Sequence, residues 1–153
     1  DLSNNEIVVL HKDIFQQGLP IRILNLKNCS LAKVDKGTFR GMTNLNELNL
    51  DHNMLDGDSL SVLDIPGLRR LRLGNNNLTI INNITFKRLP SLQLLTLENN
   101  GIKNIPSDAF VYNQRIYFLS LSRNWIKSFP KVTLTVLTNL RELRLSQNEF
   151  AHI

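Results

Sequence analysis

One asparagine column runs through this chain at a nearly constant step, and a fixed step constrains the fold more tightly than any other feature of a sequence. Asn5, Cys29, Asn53, Asn76, Asn100, Asn124 and Asn148 follow one another at intervals of 24, 24, 23, 24, 24 and 24 residues. With that residue set as position nine of a repeat, position one holds Ile21, Leu45, Leu68, Leu92, Ile116 and Leu140. Position four holds Leu24, Leu48, Leu71, Leu95, Leu119 and Leu143. Position six is leucine from Leu2 to Leu145, and position eleven runs Ile7, Leu31, Leu55, Leu78, Ile102, Ile126 and Phe150. All 26 of these cells are apolar in a chain that is 42% hydrophobic, a coincidence on the order of one in ten thousand million.

Each column has a physical reason. Leucines at positions four and six lie on one face of a short strand, leaving positions three and five outward, and stacked copies make a parallel sheet. Positions eleven, fourteen and nineteen (Phe15, Phe39, Leu63, Phe86, Phe110 and Leu134 at the last) return the chain over the same core, since one turn cannot bury its apolar face alone. A buried amide is tolerated only when its donors and acceptor are used, so the asparagines are expected to bond backbone groups left free where the strand ends. Cys29 donates weakly, which predicts a gap in that ladder. The third repeat is one residue short and places Asp58 at position fourteen; its outer side is expected to bulge or to adopt a different local structure.

The unit reads LxxLxLxxNxLxxIxxxxFxxLxx, as in LQLLTLENNGIKNIPSDAFVYNQR from Leu92 to Arg115. This resembles the leucine-rich repeat family, in the 24-residue subtype common in animal extracellular and cell-surface proteins. The resemblance implies an α/β solenoid shaped as a horseshoe, with a parallel β-sheet on the concave face and loops or short helical turns on the convex face. The period predicts a single solenoid over residues 1–153, about seven repeats, with both terminal repeats incomplete. Without cysteine-rich or polar caps, the chain is expected to be an internal piece of a longer protein.

Composition excludes several alternatives. One cysteine cannot form a disulfide within the chain, and no apolar run approaches the roughly 20 residues needed to span a bilayer. The formal charge of +5 comes from Lys and Arg scattered along the chain and does not by itself argue for nucleic acid or membrane, so no nucleic-acid partner and no membrane contact within this segment are expected. No catalytic set assembles: His11, His52 and His152 fall in distant repeats, and Cys29 has no histidine in its turn. No metal, cofactor or enzymatic activity is implied.

Binding information collects at outward positions two, three and five. An apolar group there comprises Leu94, Phe118 and Tyr117, and an arginine group comprises Arg69, Arg70 and Arg72, with Arg144 further along. Aromatics and arginine dominate protein hot spots, while scattered surface apolars are ordinary. The arginines suit an anionic partner such as a sulfated glycan, or else Arg70 pairs with Glu47 on the neighbouring strand and the rest are solvated. Trp125 is expected to pack against the loop side. Three sequons, at Asn28, Asn77 and Asn83, are candidate glycosylation sites, although about 2.4 would arise by chance from 20 Asn and 18 Ser and Thr. The leading expectation is a non-catalytic recognition segment of a receptor or adhesion protein. Toll-like receptor ectodomains and neuronal adhesion proteins are related possibilities, with a protein ligand or co-receptor as partner. Alternatives are a matrix component holding sulfated glycans and a regulatory region of an intracellular protein.

Overall fold

The computed structural model describes residues 1–15 and 19–151; His152, and Ile153 at position fourteen of the last repeat, lie outside the described residues. In chain order the elements are β1 (Val9–Leu10), β2 (Ile23–Asn25), β3 (Lys33–Val34), β4 (Glu47–Asn49), α1 (Gly57–Ser61), β5 (Arg70–Arg72), β6 (Leu94–Thr96), β7 (Phe118–Ser120), α2 (Lys131–Val136) and β8 (Glu142–Arg144). Strands β2, β4, β5, β6, β7 and β8 form one parallel six-stranded sheet in that order, and β1 pairs with β3 on the returning side. Register follows the repeat: Leu24, Leu48, Leu71, Leu95, Leu119 and Leu143 lie side by side.

Burial follows the columns. The position-four leucines of β4 to β7 are wholly buried, as are Leu26, Leu50, Leu73, Leu97 and Leu121 at position six. Behind them Phe15 stacks on Phe39 with ring centroids 5.8 Å apart, and Phe86 on Phe110 at 6.1 Å. Stacked rings at these separations add to the area they bury. Position eighteen, which the apolar count overlooked because it reads Ile14, Thr38, Val62, Thr85, Ala109 and Thr133, turns inward after the first repeat: Ile14 is exposed, whereas Thr38, Thr85, Ala109 and Thr133 are buried.

The asparagine ladder has a regular bond pattern. Asn100 Nδ2 donates to Leu73 O (3.0 Å) in the preceding turn and to Leu97 O (3.1 Å) in its own, while its Oδ1 accepts from Leu78 N (3.0 Å). Asn53, Asn76, Asn124 and Asn148 repeat this arrangement. Asn5, in the first turn, is exposed and bonds Leu2 O of its own turn at 2.9 Å.

The gap expected at Cys29 is narrower than a weak donor predicts. Its Sγ reaches Leu2 O at 3.1 Å, taking over the donor part of an asparagine. The missing acceptor is replaced by backbone, because Ile7 N–H bonds the Cys29 carbonyl at 2.8 Å.

A second column escaped notice in the sequence. Position eight (Asn4, Asn28, His52, Asn75, Asn99, Arg123 and Gln147) has φ between 51° and 60° throughout. Asparagine reaches this left-handed region at least cost among residues with a Cβ, which explains why it fills four of the seven places.

Two outer segments depart from the common path. In the short third repeat the chain forms α1, whose N-cap Asp56 accepts a bond from Ser59 N at 2.9 Å. Leu60 takes the core place that exposed Asp58 cannot fill. Gly57 permits the close approach, since a Cβ there would stand 2.8 Å from Ile80 O. In the sixth repeat the expectation for Leu134 fails: it is 47% exposed, whereas Thr133 and Leu137 are buried. The reason is α2, where residues four apart share a face, so Thr133 and Leu137 turn inward together and Leu134 turns out.

Candidate functional site

The three-residue strands turn their central leucine inward, buried in β2 and β4 to β7 and partly buried in β8, and so project the flanking residues from the concave side. Register sets two rows across the sheet. Position three runs Ile23, Glu47, Arg70, Leu94, Phe118 and Glu142; position five runs Asn25, Asn49, Arg72, Thr96, Ser120 and Arg144. Position two, at the strand entry, adds Arg69 and Tyr117.

The arginine group divides. Arg70 Nη1 lies 3.5 Å from one oxygen of Glu47 and Arg72 Nη2 lies 3.4 Å from the other, so one carboxylate serves both. Surface pairs of this sort contribute about 0–1 kcal/mol; their effect here is to offset one of the two positive charges on the sheet. Arg69 is exposed and has no carboxylate oxygen within 4.0 Å among the described residues.

The apolar group comes together. Leu94 on β6 is directly opposite Phe118 on β7, Tyr117 precedes Phe118, and all three are half-buried. Arg144 places its guanidinium 4.9 Å from the Phe118 ring centroid and bonds Glu142 Oε1 through Nε at 2.7 Å. Phe118 is therefore flanked by a cation held in place by its own carboxylate, a link between the apolar group and Arg144 that repeat positions alone do not reveal. Ser120, expected to face outward, is fully buried with its Oγ unpartnered among the described residues; its short side chain lies between longer register neighbours. Ile23 at the start of the same row is 64% exposed. Its signal was available, as an apolar residue in the column that also holds Leu94 and Phe118.

Trp125 corrects another expectation. It is 54% exposed and lines a shallow hollow with Asn99, Arg123, Gln147 and Glu149, because position ten lies just past the left-handed residue, outside the returning core.

The three sequons differ in access. Asn77 and Thr79 are both exposed. Asn28 is exposed in the left-handed region and donates its Nδ2 to Asn4 Oδ1 at 3.0 Å. Asn83 is half-buried and its Thr85 is buried, with the hydroxyl bonded to Asn82.

Ionisable side chains stay apart. His11 Nδ1 lies 3.2 Å from Asp35 Oδ2, and this bond, reinforced by Lys33, holds the Asp35 carboxyl below its ordinary pKa. His52 lies beside Asn75, and Cys29 is buried. Among the described residues no three His, Cys, Asp or Glu side chains converge as a metal site would require.

A family model described as leucine rich repeat matches residues 1–55, 58–102 and 93–150. The chain belongs to the leucine-rich repeat family. Similar proteins include Tsukushi of Gallus gallus, 40% identical over 62 residues, a match covering 39% of this chain and 17% of that protein. The human leucine-rich repeats and immunoglobulin-like domains protein 1 is 32% identical over 90 residues, covering 58% of this chain and 8% of that protein. Human vasorin is 32% identical over 76 residues, covering 50% of this chain and 11% of that protein. Each match thus spans less than a fifth of the relative's length. Among the described residues no helix is long and apolar enough to cross a membrane. The leucine-rich repeats and the relatives that share them support a role in interaction with other proteins.

Proposed function

We propose that this chain is a non-catalytic recognition segment of an extracellular or cell-surface protein and that it binds a protein ligand or co-receptor through its concave sheet. The observation that carries the reading is the pairing of Leu94 with Phe118 in register, with Tyr117 adjacent and Arg144 held over the Phe118 ring. Aromatic and arginine anchors beside a partly desolvated apolar surface are the usual makings of a hot spot. Rigid strands fix these side chains before contact, so little ordering cost attends binding. Arg70 and Arg72 rim this surface, sharing the single Glu47 carboxylate that offsets one of their two charges, and contribute specificity more than affinity. Extracellular placement is supported by the exposed sequon at Asn77 and by the 24-residue repeat subtype.

The test is a binding screen of the full chain against an array of purified ectodomains. A specific partner is expected to lose at least about tenfold in affinity to Phe118→Ala, mainly through faster dissociation, and to tolerate Leu134→Ala on the convex side. A partner equally indifferent to Phe118→Ala, Leu94→Ala and Arg144→Ala would refute the concave site.

A further inference from the structure

The division of the arginines exposes a second feature, at the edge where the chain enters the sheet. Positions twenty-three, twenty-four and two form this edge in every repeat, and across the six strands they contain four arginines and no Asp or Glu. Arg22, Arg69, Arg115 and Arg141 are all exposed. Among the described residues none has a carboxylate oxygen within 4.0 Å; elsewhere Arg40 and Arg123 also lack one, whereas Arg70, Arg72, Arg88 and Arg144 have one. The acidic partners have gone to the concave rows and the outer loops. The edge is left with a stripe of one sign.

The stripe lies along a trough. One hollow is lined by Arg22, Asn46, Arg69 and Gln93, with Glu47 and its partner Arg70 on the side toward the concave rows, and the next by Gln93, Arg115, Tyr117, Asn139 and Arg141. Gln93 belongs to both, so the two hollows adjoin. Strands about 4.8 Å apart place Arg22, Arg69 and the Arg115–Arg141 pair at successive intervals of roughly 10 Å, along an edge roughly 24 Å long. Amides and the Tyr117 side chain fill the spaces between the guanidiniums.

We infer that this trough binds a linear sulfated glycan, its guanidiniums pairing with sulfate and carboxylate groups and its intervening amides with sugar hydroxyls. Guanidinium forks bind such oxyanions in bidentate geometry, and a straight row of regularly spaced cations matches a polymer carrying charge at intervals along its length. Nucleic acid suits the trough less well, because binding single strands uses successive exposed aromatic rings and Tyr117 is the only aromatic residue at this edge. The site rests on the extracellular placement proposed above and adjoins the concave protein site at Tyr117, while its arginines lie outside that site.

The probe is a fluorescent heparin octasaccharide titrated with the full chain at several salt concentrations. Binding is expected to weaken steeply with salt. Arg115→Gln with Arg141→Gln, and separately Arg22→Gln with Arg69→Gln, are expected to weaken it about tenfold or more and to lower the log–log salt slope by about two, one per lost contact. Arg72→Gln with Arg144→Gln removes the same charge from the concave rows and is expected to change affinity less than about twofold, because neither guanidinium lines the two hollows and each already lies beside a carboxylate. Phe118→Ala is expected to leave glycan binding intact, so failure of the concave reading and failure of this one are distinguishable. Equal loss from edge and concave pairs would overturn the trough by showing diffuse attraction. So would absence of binding at low salt, or tighter binding of a single-stranded DNA of matched charge. Circular dichroism of each variant verifies the fold, and Arg115→Lys with Arg141→Lys is expected to restore part of the affinity.

Discussion

Replacing Asn100 with alanine isolates what the amide ladder contributes, and the hydrogen bonds around it allow the cost to be worked through atom by atom. Asn100 is 8% exposed and makes bonds to Leu73 O, Leu97 O, Glu98 O and Leu78 N. Each carbonyl has a second donor: Leu73 O keeps Asn76 Nδ2, Leu97 O keeps Asn124 Nδ2, and Glu98 O keeps Asn75 N. Leu78 N–H has no such reserve. An orphaned buried amide costs about 1–3 kcal/mol and the weakened carbonyls add about 1 more, for a total of about 2–4 kcal/mol. Cys29→Ala provides the contrast. The carbonyl that accepts from Ile7 N survives that substitution, and Leu2 O keeps Asn5 Nδ2, so only the small thiol contact is lost, at about 1 kcal/mol. Urea unfolding of both variants measures the difference, and native-state hydrogen exchange localises it, with the Leu78 amide losing protection in Asn100→Ala before its neighbours do. Equal destabilisation by the two substitutions, or a Leu78 amide still as protected as in the parent, would refute the assignment of the cost to one stranded donor.

Other expectations follow from the same structure. Phe86→Ala removes a fully buried ring stacked on Phe110 and is expected to cost about 3–5 kcal/mol in chemical denaturation, whereas Leu134→Ala is expected to stay within about 0.5 kcal/mol. Asp56 and Asp51 are expected to show opposite pH dependences when urea stability is followed across the acid range. The bond from Ser59 N lowers the Asp56 pKa, so its capping contribution is present above the ordinary carboxylate range and lost as pH falls through the lowered folded value; the stability gap to Asp56→Ala is expected to close in acid. Burial raises the Asp51 pKa against the opposing bond from Gly74 N, so its relative stabilisation is present below the ordinary range and lost as pH rises through the raised folded value; Asp51→Asn is expected to gain on the parent over that interval. Secretion from a mammalian line is expected to yield glycan at Asn77, seen by mass spectrometry and abolished by Asn77→Gln, with lower occupancy at half-buried Asn83.

The spine of the molecule was determined by sequence alone. A leucine that recurs every 24 residues must face the same neighbours in each turn, so strand register, core columns and the asparagine ladder follow from periodicity and the cost of an unsatisfied amide. The left-handed column at position eight was legible too, in its excess of asparagine. What depended on tertiary structure were the features in which one repeat differs from the next. Leu134 turned outward because α2 changes the local period from the repeat's own path to that of a helix. Trp125 is exposed because its position lies beyond the core, and Arg144 covers Phe118 because Glu142 on the same strand holds it there. Glu47 drew Arg70 and Arg72 to itself and left Arg69 to the edge. These outcomes rest on distances between side chains on adjacent turns, and a column of letters orders the turns without stating how far a long side chain reaches across them.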